Sequence, residues 1–298
     1  MAEAYRYARL LAALVACLLA CAPVHAIING QQDVGNVYPS VGAYIVVEND
    51  SGSLTFICSG TLIHPRVVLT AAHCVRPPPG VDATRFRRVV SFSPDRALDP
   101  TTWIDVVGRM AHPTYPAVDP ASPPLSDEVI DVGVALLAEP VQGIVPAALA
   151  AAGALDFAIG RTLPIVGYGC QEGWSGVRRF GNASLARLTI SWAIFNFESY
   201  ECGGDSGGPI FIDGRVAALV HGFGWRARVD TQPVLDWIHS AIDVLVPPVE
   251  ANYQGLWWNA AESGWGINLA HQDDRIYLTW YTYDASGKAL WLAMLASK

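Results

Sequence analysis

From residue 27 to about residue 230, short runs of β-branched and aromatic residues alternate with Gly, Pro, Asn and Asp. Residues 41–47, 67–69, 89–92, 132–137, 163–168, 188–190 and 216–220 are runs of this kind. Such lengths between turn residues predict short strands in an antiparallel sandwich or barrel. The period changes after Asp230. Across 231–246, Val234, Leu235, Ile238, Ala241, Ile242 and Leu245 recur at spacings of three and four, which predicts one amphipathic helix. Asp230 or Thr231 is placed to cap it, and Pro233 falls in the first turn, where no N–H is needed. Pro247 and Pro248 end it. Residues 251–298 then predict a small meander, with strands at 265–271, 276–283 and 289–295 joined by Asp-rich and Ser-Gly turns.

The first 26 residues follow another pattern. Arg6 and Arg9 precede an apolar stretch at 10–20, and Val24 and Ala26 stand three and one residues before a cut after Ala26. This is the layout of a secretory signal peptide, so 1–26 is set apart from the fold. The stretch is short for a membrane anchor. A lipoprotein signal ending at Cys21 is the other alternative, although Leu19 fits it poorly. No later apolar run is long enough to span a bilayer, so no stable membrane insertion is expected.

Composition narrows the class. The chain is 52% hydrophobic and 15% charged, with 27 Gly and 20 Pro, which suits a compact, turn-rich β protein. A net charge of −8 leaves no basic stripe for phosphates and argues against a nucleic-acid partner. Cys17 and Cys21 leave with the signal, and Cys58, Cys74, Cys170 and Cys202 remain. In an exported protein these read as two disulfides, with three pairings open. No His, Cys or Asp cluster has metal-ligand spacing, so neither metal nor cofactor is expected.

Candidate chemistry lies in three motifs: Cys58-Ser-Gly-Thr-Leu-Ile63 with Val68-Leu-Thr-Ala-Ala-His73-Cys74, then Asp131-Val-Gly-Val-Ala-Leu-Leu137, then Cys202-Gly-Gly-Asp-Ser-Gly-Gly-Pro209. A serine hydroxyl is a weak nucleophile until a base takes its proton and the charge on the attacked carbonyl is held. Gly204 lacks a Cβ, so its N–H and that of Ser206 can turn towards a substrate oxygen as an oxyanion hole. Asp131 opens an apolar strand and is expected to be buried, where a carboxylate needs a partner such as a His N–H. Asp127 is its nearby rival, but polar Glu128 follows it.

In this order the motifs resemble the trypsin/chymotrypsin family of serine peptidases. The resemblance covers residues 27–246 and implies an all-β fold of two antiparallel Greek-key barrels with a C-terminal helix, followed here by the meander. It implies a secreted serine endopeptidase, extracellular or periplasmic, monomeric, acting on protein or peptide. Ser206 would be the nucleophile, His73 the general base and Asp131 its orienting anion. Ile27-Ile-Asn-Gly30 is similar to the family's mature start, whose freed amino group pairs with the Asp before the nucleophile, here Asp205. A cut after Ala26 would expose Ile27 without any propeptide, whereas lipidation at Cys21 would block the pairing. The resemblance also implies a Cys58–Cys74 bond and, since Cys202 lacks the family's usual downstream partner, a Cys170–Cys202 bond.

The match departs from the family at the specificity pocket. Tyr200 aligns with the pocket floor, Glu201 is adjacent, and His221-Gly222-Phe223 replaces the usual Ser-Trp-Gly, with His221 where a Ser normally supports the Asp. A shallow pocket for small or medium apolar residues is expected, with basic specificity through Glu201 as the alternative. An occluded pocket would make the chain a non-catalytic binding protein. The extension 251–298 holds five of the ten tryptophans. Its aromatics read either as core packed against the peptidase or as a surface, including Trp257, Trp258 and Trp265, for weak glycan contact.

Overall fold

The computed structural model describes residues 27, 30–77, 80–116, 126–169, 176–196, 202–222, 224–246, 254–272 and 275–297. The expected signal with Cys21 lies outside these, as do Cys170, Tyr200, Glu201 and Phe223. The chain divides into two compact units, 1–247 and 248–298. Among the described residues, no helix is long and apolar enough to cross a membrane.

In the first unit, β1 (Gln31–Gln32) precedes β2 (Val41–Glu48), β3 (Leu54–His64), β4 (Val67–Thr70), β5 (Phe86–Ser91), β6 (Ile104–Ala111) and β7 (Gly133–Leu137). The last six close into a barrel in the order β2-β3-β4-β7-β6-β5. β2 shows why its sequence reads as an unbroken apolar run. Val41, Ala43, Ile45 and Val47 enter one buried cluster, while Tyr44 and Val46 on the other face enter a second.

The second barrel repeats this plan. β8 (Thr162–Gly167), β9 (Arg179–Leu188), β10 (Trp192–Asn196), β11 (Pro209–Ile212), β12 (Arg215–Gly222) and β13 (Trp225–Arg228) run β8-β9-β10-β13-β12-β11 around a closed circuit. β1 adds to the outer side of β9. The cluster that takes one face of β2 also contains Val166, Phe211, Leu219 and Ile238, so it is common to both barrels.

Among the described residues, two α-helices accompany the strands: the single turn α1 (Ala72–Val75) and α2 (Gln232–Leu245). α2 buries Val234, Leu235, Ile238 and Ala241, the stripe its spacing predicts. Thr231 occupies the capping position without a side-chain bond, and Asp230 is held by Arg228 and the Leu155 N–H. The run at 188–190 is also not a strand beyond Leu188. Thr189 and Ile190 turn the chain into β10, with the Thr189 N–H donating to the Trp192 carbonyl at 2.8 Å. Asp127 accepts from the Thr189 hydroxyl and the Ser191 N–H, which fixes that turn despite its β-branched residues.

One buried cation ties the barrels together. Arg178 pairs with Asp33 at 2.8 Å, both side chains fully buried. Its Nη1 donates to the Val41 and Phe92 carbonyls of the first barrel and to the Tyr168 hydroxyl after β8, and Nη2 donates to Asn36.

The second unit is an antiparallel sheet of β14 (Gly255–Trp257), β15 (Gly266–Gln272), β16 (Arg275–Tyr283) and β17 (Ala289–Ser297) in sequence order. Trp257, Trp258, Trp280 and Trp291 are exposed, and Thr279 is the one buried residue among the described residues of this sheet.

Candidate active site

His73 sits in α1, immediately after β4. Its neighbour Cys74 is bonded to Cys58 of β3, with 6.2 Å between the Cα atoms. Asp131 is fully buried just ahead of β7. It accepts the His73 N–H at Oδ1 (2.9 Å) and the His73 ring nitrogen Nδ1 at Oδ2 (2.7 Å). Gly133 permits this approach. A Cβ there would meet Val75 Cγ2 at 2.6 Å and the Ala71 carbonyl at 3.1 Å, pushing β7 away from α1. Asp127 serves the β9–β10 turn, so Asp131 is the carboxylate that reaches His73.

Ser206 lies in the turn ahead of β11, and its surroundings come from both barrels. Ser59 of β3 donates its N–H to the Ser206 carbonyl (2.7 Å) and its hydroxyl to the Gly204 carbonyl (2.9 Å), while accepting the Tyr168 N–H (2.9 Å). Gly204 has φ +106° and Gly207 φ +79°, and a Cβ on Gly207 would meet Thr70 Oγ1 at 2.1 Å. Asp205, fully buried, accepts the N–H groups of Gly169 (2.7 Å) and Cys202 (2.9 Å). No acceptor among the described residues takes the N–H of Gly204 or of Ser206. The Ser206 hydroxyl donates to the His221 carbonyl at 3.4 Å, and not to His73.

His221 stands where the resemblance implies a residue that supports the Asp, and its ring faces that carboxylate. Its Nδ1 lies 2.6 Å from Asp131 Oδ2, the oxygen that also serves His73. Burial by itself would raise the Asp131 carboxyl. The charge of His73 and the hydrogen bonds from His221 and His73 outweigh burial and hold it well below the usual carboxylate range. Beside it, the Tyr115 phenol is pushed up by burial and then by the Asp131 charge. Sequence reasoning passed over Gly133, Ser59 and Tyr115. Ser59 lies inside the first motif, but its partners are more than a hundred residues away.

The other expected site residues divide. Ile27 is fully buried and clusters with Ile165, Ile210 and Ala218. In the intact chain its nitrogen belongs to a peptide bond, so the ion pair with Asp205 requires a cut. Gly222 ends β12 with φ +144°. Cys202 is disulfide-bonded. His73, Asp131 and His221 are joined directly by hydrogen bonds, and Cys58 and Cys74 by their disulfide, so these two clusters hold themselves together without an ion.

Comparison with known proteins gives the fold and the site a context. A family model described as Trypsin matches residues 27–235. Human Granzyme M is 26% identical over 243 residues, covering 71% of this chain and 89% of its own. The snake venom serine protease serpentokallikrein-1 of Protobothrops mucrosquamatus is 26% identical over 229 residues, covering 67% and 82%. Among solved structures, human heparin binding protein superposes with a TM-score of 0.54 at 19% identity, over 72% of this chain and 96% of that one, a likeness of fold.

Proposed function

The chain belongs to the trypsin family of serine peptidases, and from that membership we propose that it is a secreted serine endopeptidase working through Ser206, His73 and Asp131. Residues 27–246 form the catalytic part, 1–26 the signal and 251–298 an extension. The observation that carries this reading is the double contact of Asp131 with the ring and backbone of His73.

An ionised carboxylate only accepts hydrogen bonds, so His73 Nδ1 keeps its proton and Nε2 is left as the base. When a peptide binds, the Ser206 hydroxyl leaves its long contact with the His221 carbonyl and gives its proton to His73. Such catalytic hydrogen bonds are often loose before substrate arrives. The serine oxygen bonds to the scissile carbonyl carbon, whose oxygen becomes an anion facing the N–H groups of Gly204 and Ser206. His73 then protonates the leaving amine, and the acyl-enzyme is hydrolysed by the same steps with water. Asp131 stabilises the imidazolium throughout.

Signal removal after Ala26 is the activating step. The freed Ile27 ammonium would then enter the buried region and pair with Asp205, since a buried charge is tolerated only with a partner. Cys170 is assigned to Cys202. Substrates are proteins or peptides, cut after small or medium apolar residues if Tyr200 floors the pocket, or after basic ones if Glu201 points inward. The exposed Trp257 and Trp258 leave room for weak glycan contact.

Cleavage profiling on a diverse peptide library, using secreted protein whose first residue is Ile27 by Edman degradation, tests this reading. Turnover is expected, and Ser206→Ala should abolish it by about a million-fold, the size documented for a serine protease. Cuts unaffected by that change would exclude the mechanism. No cuts from protein beginning at Ile27 would point to a binding role, and any other first residue would exclude activation by signal removal.

A further inference from the structure

At one end of the first barrel, three polar side chains turn towards its apolar interior: Tyr44 of β2, Arg88 of β5 and Arg109 of β6. Tyr44 is fully buried in the cluster that holds Val46, Val90 and Ala135. It faces Val90 across the β2–β5 ladder, while Val46 faces Arg88. Tyr44 and Arg88 are therefore diagonal neighbours on one face, a spacing that long side chains bridge. Arg109 pairs with Ala135 of the same cluster. The register shift between Val106 and Gly108 lets both Val106 and Arg109 face inward.

These groups bring donors and no acceptor. Arg88 is only 8% exposed, and its Nη1 donates to the Ala83 and Phe86 carbonyls at 3.3 and 3.0 Å. The carboxylates of β2 and β6 are engaged elsewhere, Glu48 with Arg85 and Asp105 with Arg87. Among the described residues, no carboxylate pairs with Arg88 or Arg109, and no acceptor takes the buried Tyr44 hydroxyl. Burial pushes the Tyr44 phenol up to about 12, so it keeps its proton to donate. Burial, and then the Arg109 charge, press the Arg88 guanidinium below its ordinary value, so the two cations repel each other. Uncompensated charge and an unmade hydrogen bond both cost free energy in such a place.

We infer that this end of the first barrel is a binding site for a small tetrahedral dianion, sulfate or hydrogen phosphate, held by Arg88, Arg109 and the Tyr44 hydroxyl.

Charge and shape select the ligand. Two guanidinium groups balance two negative charges, and a tetrahedral oxyanion offers paired oxygens to each planar fork. Chloride balances one charge and cannot take both ends of a fork. The way in is a cavity of about 270 Å³ lined by Arg88 and Phe86, with Phe56 and Val81 exposed on its rim. None of the three donors takes part in the peptidase steps above, so binding can be read without turnover.

The test is isothermal titration of the secreted protein with sodium sulfate and sodium phosphate, at an ionic strength held constant with chloride. Ser206→Ala is carried throughout to prevent self-digestion. One ion should bind per chain, and chloride alone should give no saturable heat. Arg109→Met should weaken Kd about tenfold to a hundredfold, the range for losing a hydrogen bond to a charged group. Tyr44→Phe keeps the ring and should weaken it about twofold to tenfold. Thermal unfolding gives a second readout. In chloride, Arg109→Met should melt no lower than the native chain, because the repulsion on Arg88 is relieved. In phosphate the native chain should melt higher, because it binds the ion and the variant does not. Both salts also raise Tm by exclusion from the surface, so the difference between the two proteins carries the result. The absence of saturable binding to the native chain would overturn the proposal. So would binding that both variants keep at native strength, since that marks an adventitious ion only. Should Arg109→Met fail to fold, an unchanged affinity in Tyr44→Phe would overturn it.

Discussion

The two barrels share one strand order and divide the chemistry between them. The first carries the imidazole and the carboxylate on α1 and at the start of β7, beside the Cys58–Cys74 bond. The second carries Ser206 in a glycine-rich turn. Each barrel also braces the other's reactive group. Ser59, from the first, holds the turn of Ser206 through two hydrogen bonds, to the Ser206 and Gly204 carbonyls. His221, from the second, holds Asp131 of the first. Neither barrel completes its own half of the site.

The strongest way to break that division is at its carboxylate. Asp131→Asn should lower kcat roughly ten-thousandfold, the size measured for the same change in a related serine protease, with the fold retained by circular dichroism. Because the Asp131 carboxyl is lowered in the folded state, its contribution to stability is present above the ordinary carboxylate range. It is lost as the pH falls below about 4 towards the lowered folded value, which urea unfolding against pH would follow. A second change attacks the junction. Arg178→Met leaves Asp33 buried without its cation and should destabilise the protein by about 3–5 kcal/mol, read from denaturant unfolding. Removing the Cys58–Cys74 bond as a pair of alanines touches the first barrel alone. For a sequence separation of 16 it should cost about 3 kcal/mol and lower Tm. If Arg178→Met melted only one barrel, the mutual bracing would be refuted.

Much of this was legible in the sequence, because it is local. His73, Asp131 and Ser206 stand in compact motifs, and α2 follows its three-and-four spacing. The Thr189-Ile190 turn escaped because its residues favour strands and its anchor, Asp127, lies 62 residues away. Arg178 carries no local signal, because Val41 and Asp33 converge on it from distant segments. Gly133 looks like any strand glycine until α1 packs against it. The partner of His221 was visible only through the resemblance, as a substitution where a serine is usual. In the second unit the sequence left the aromatics open between core and surface, and Trp257, Trp258 and Trp280 are exposed.

A peptidase is a hazard to the cell that makes it, and the crossed braces bear on when that hazard begins. A chain with only its first barrel formed has a base but no shaped nucleophile, and its Arg178 site has no arginine to fill it. A chain with only the second has a serine and no base. A site divided in this way is complete only where both barrels are formed and in contact, so damage to either one removes part of it.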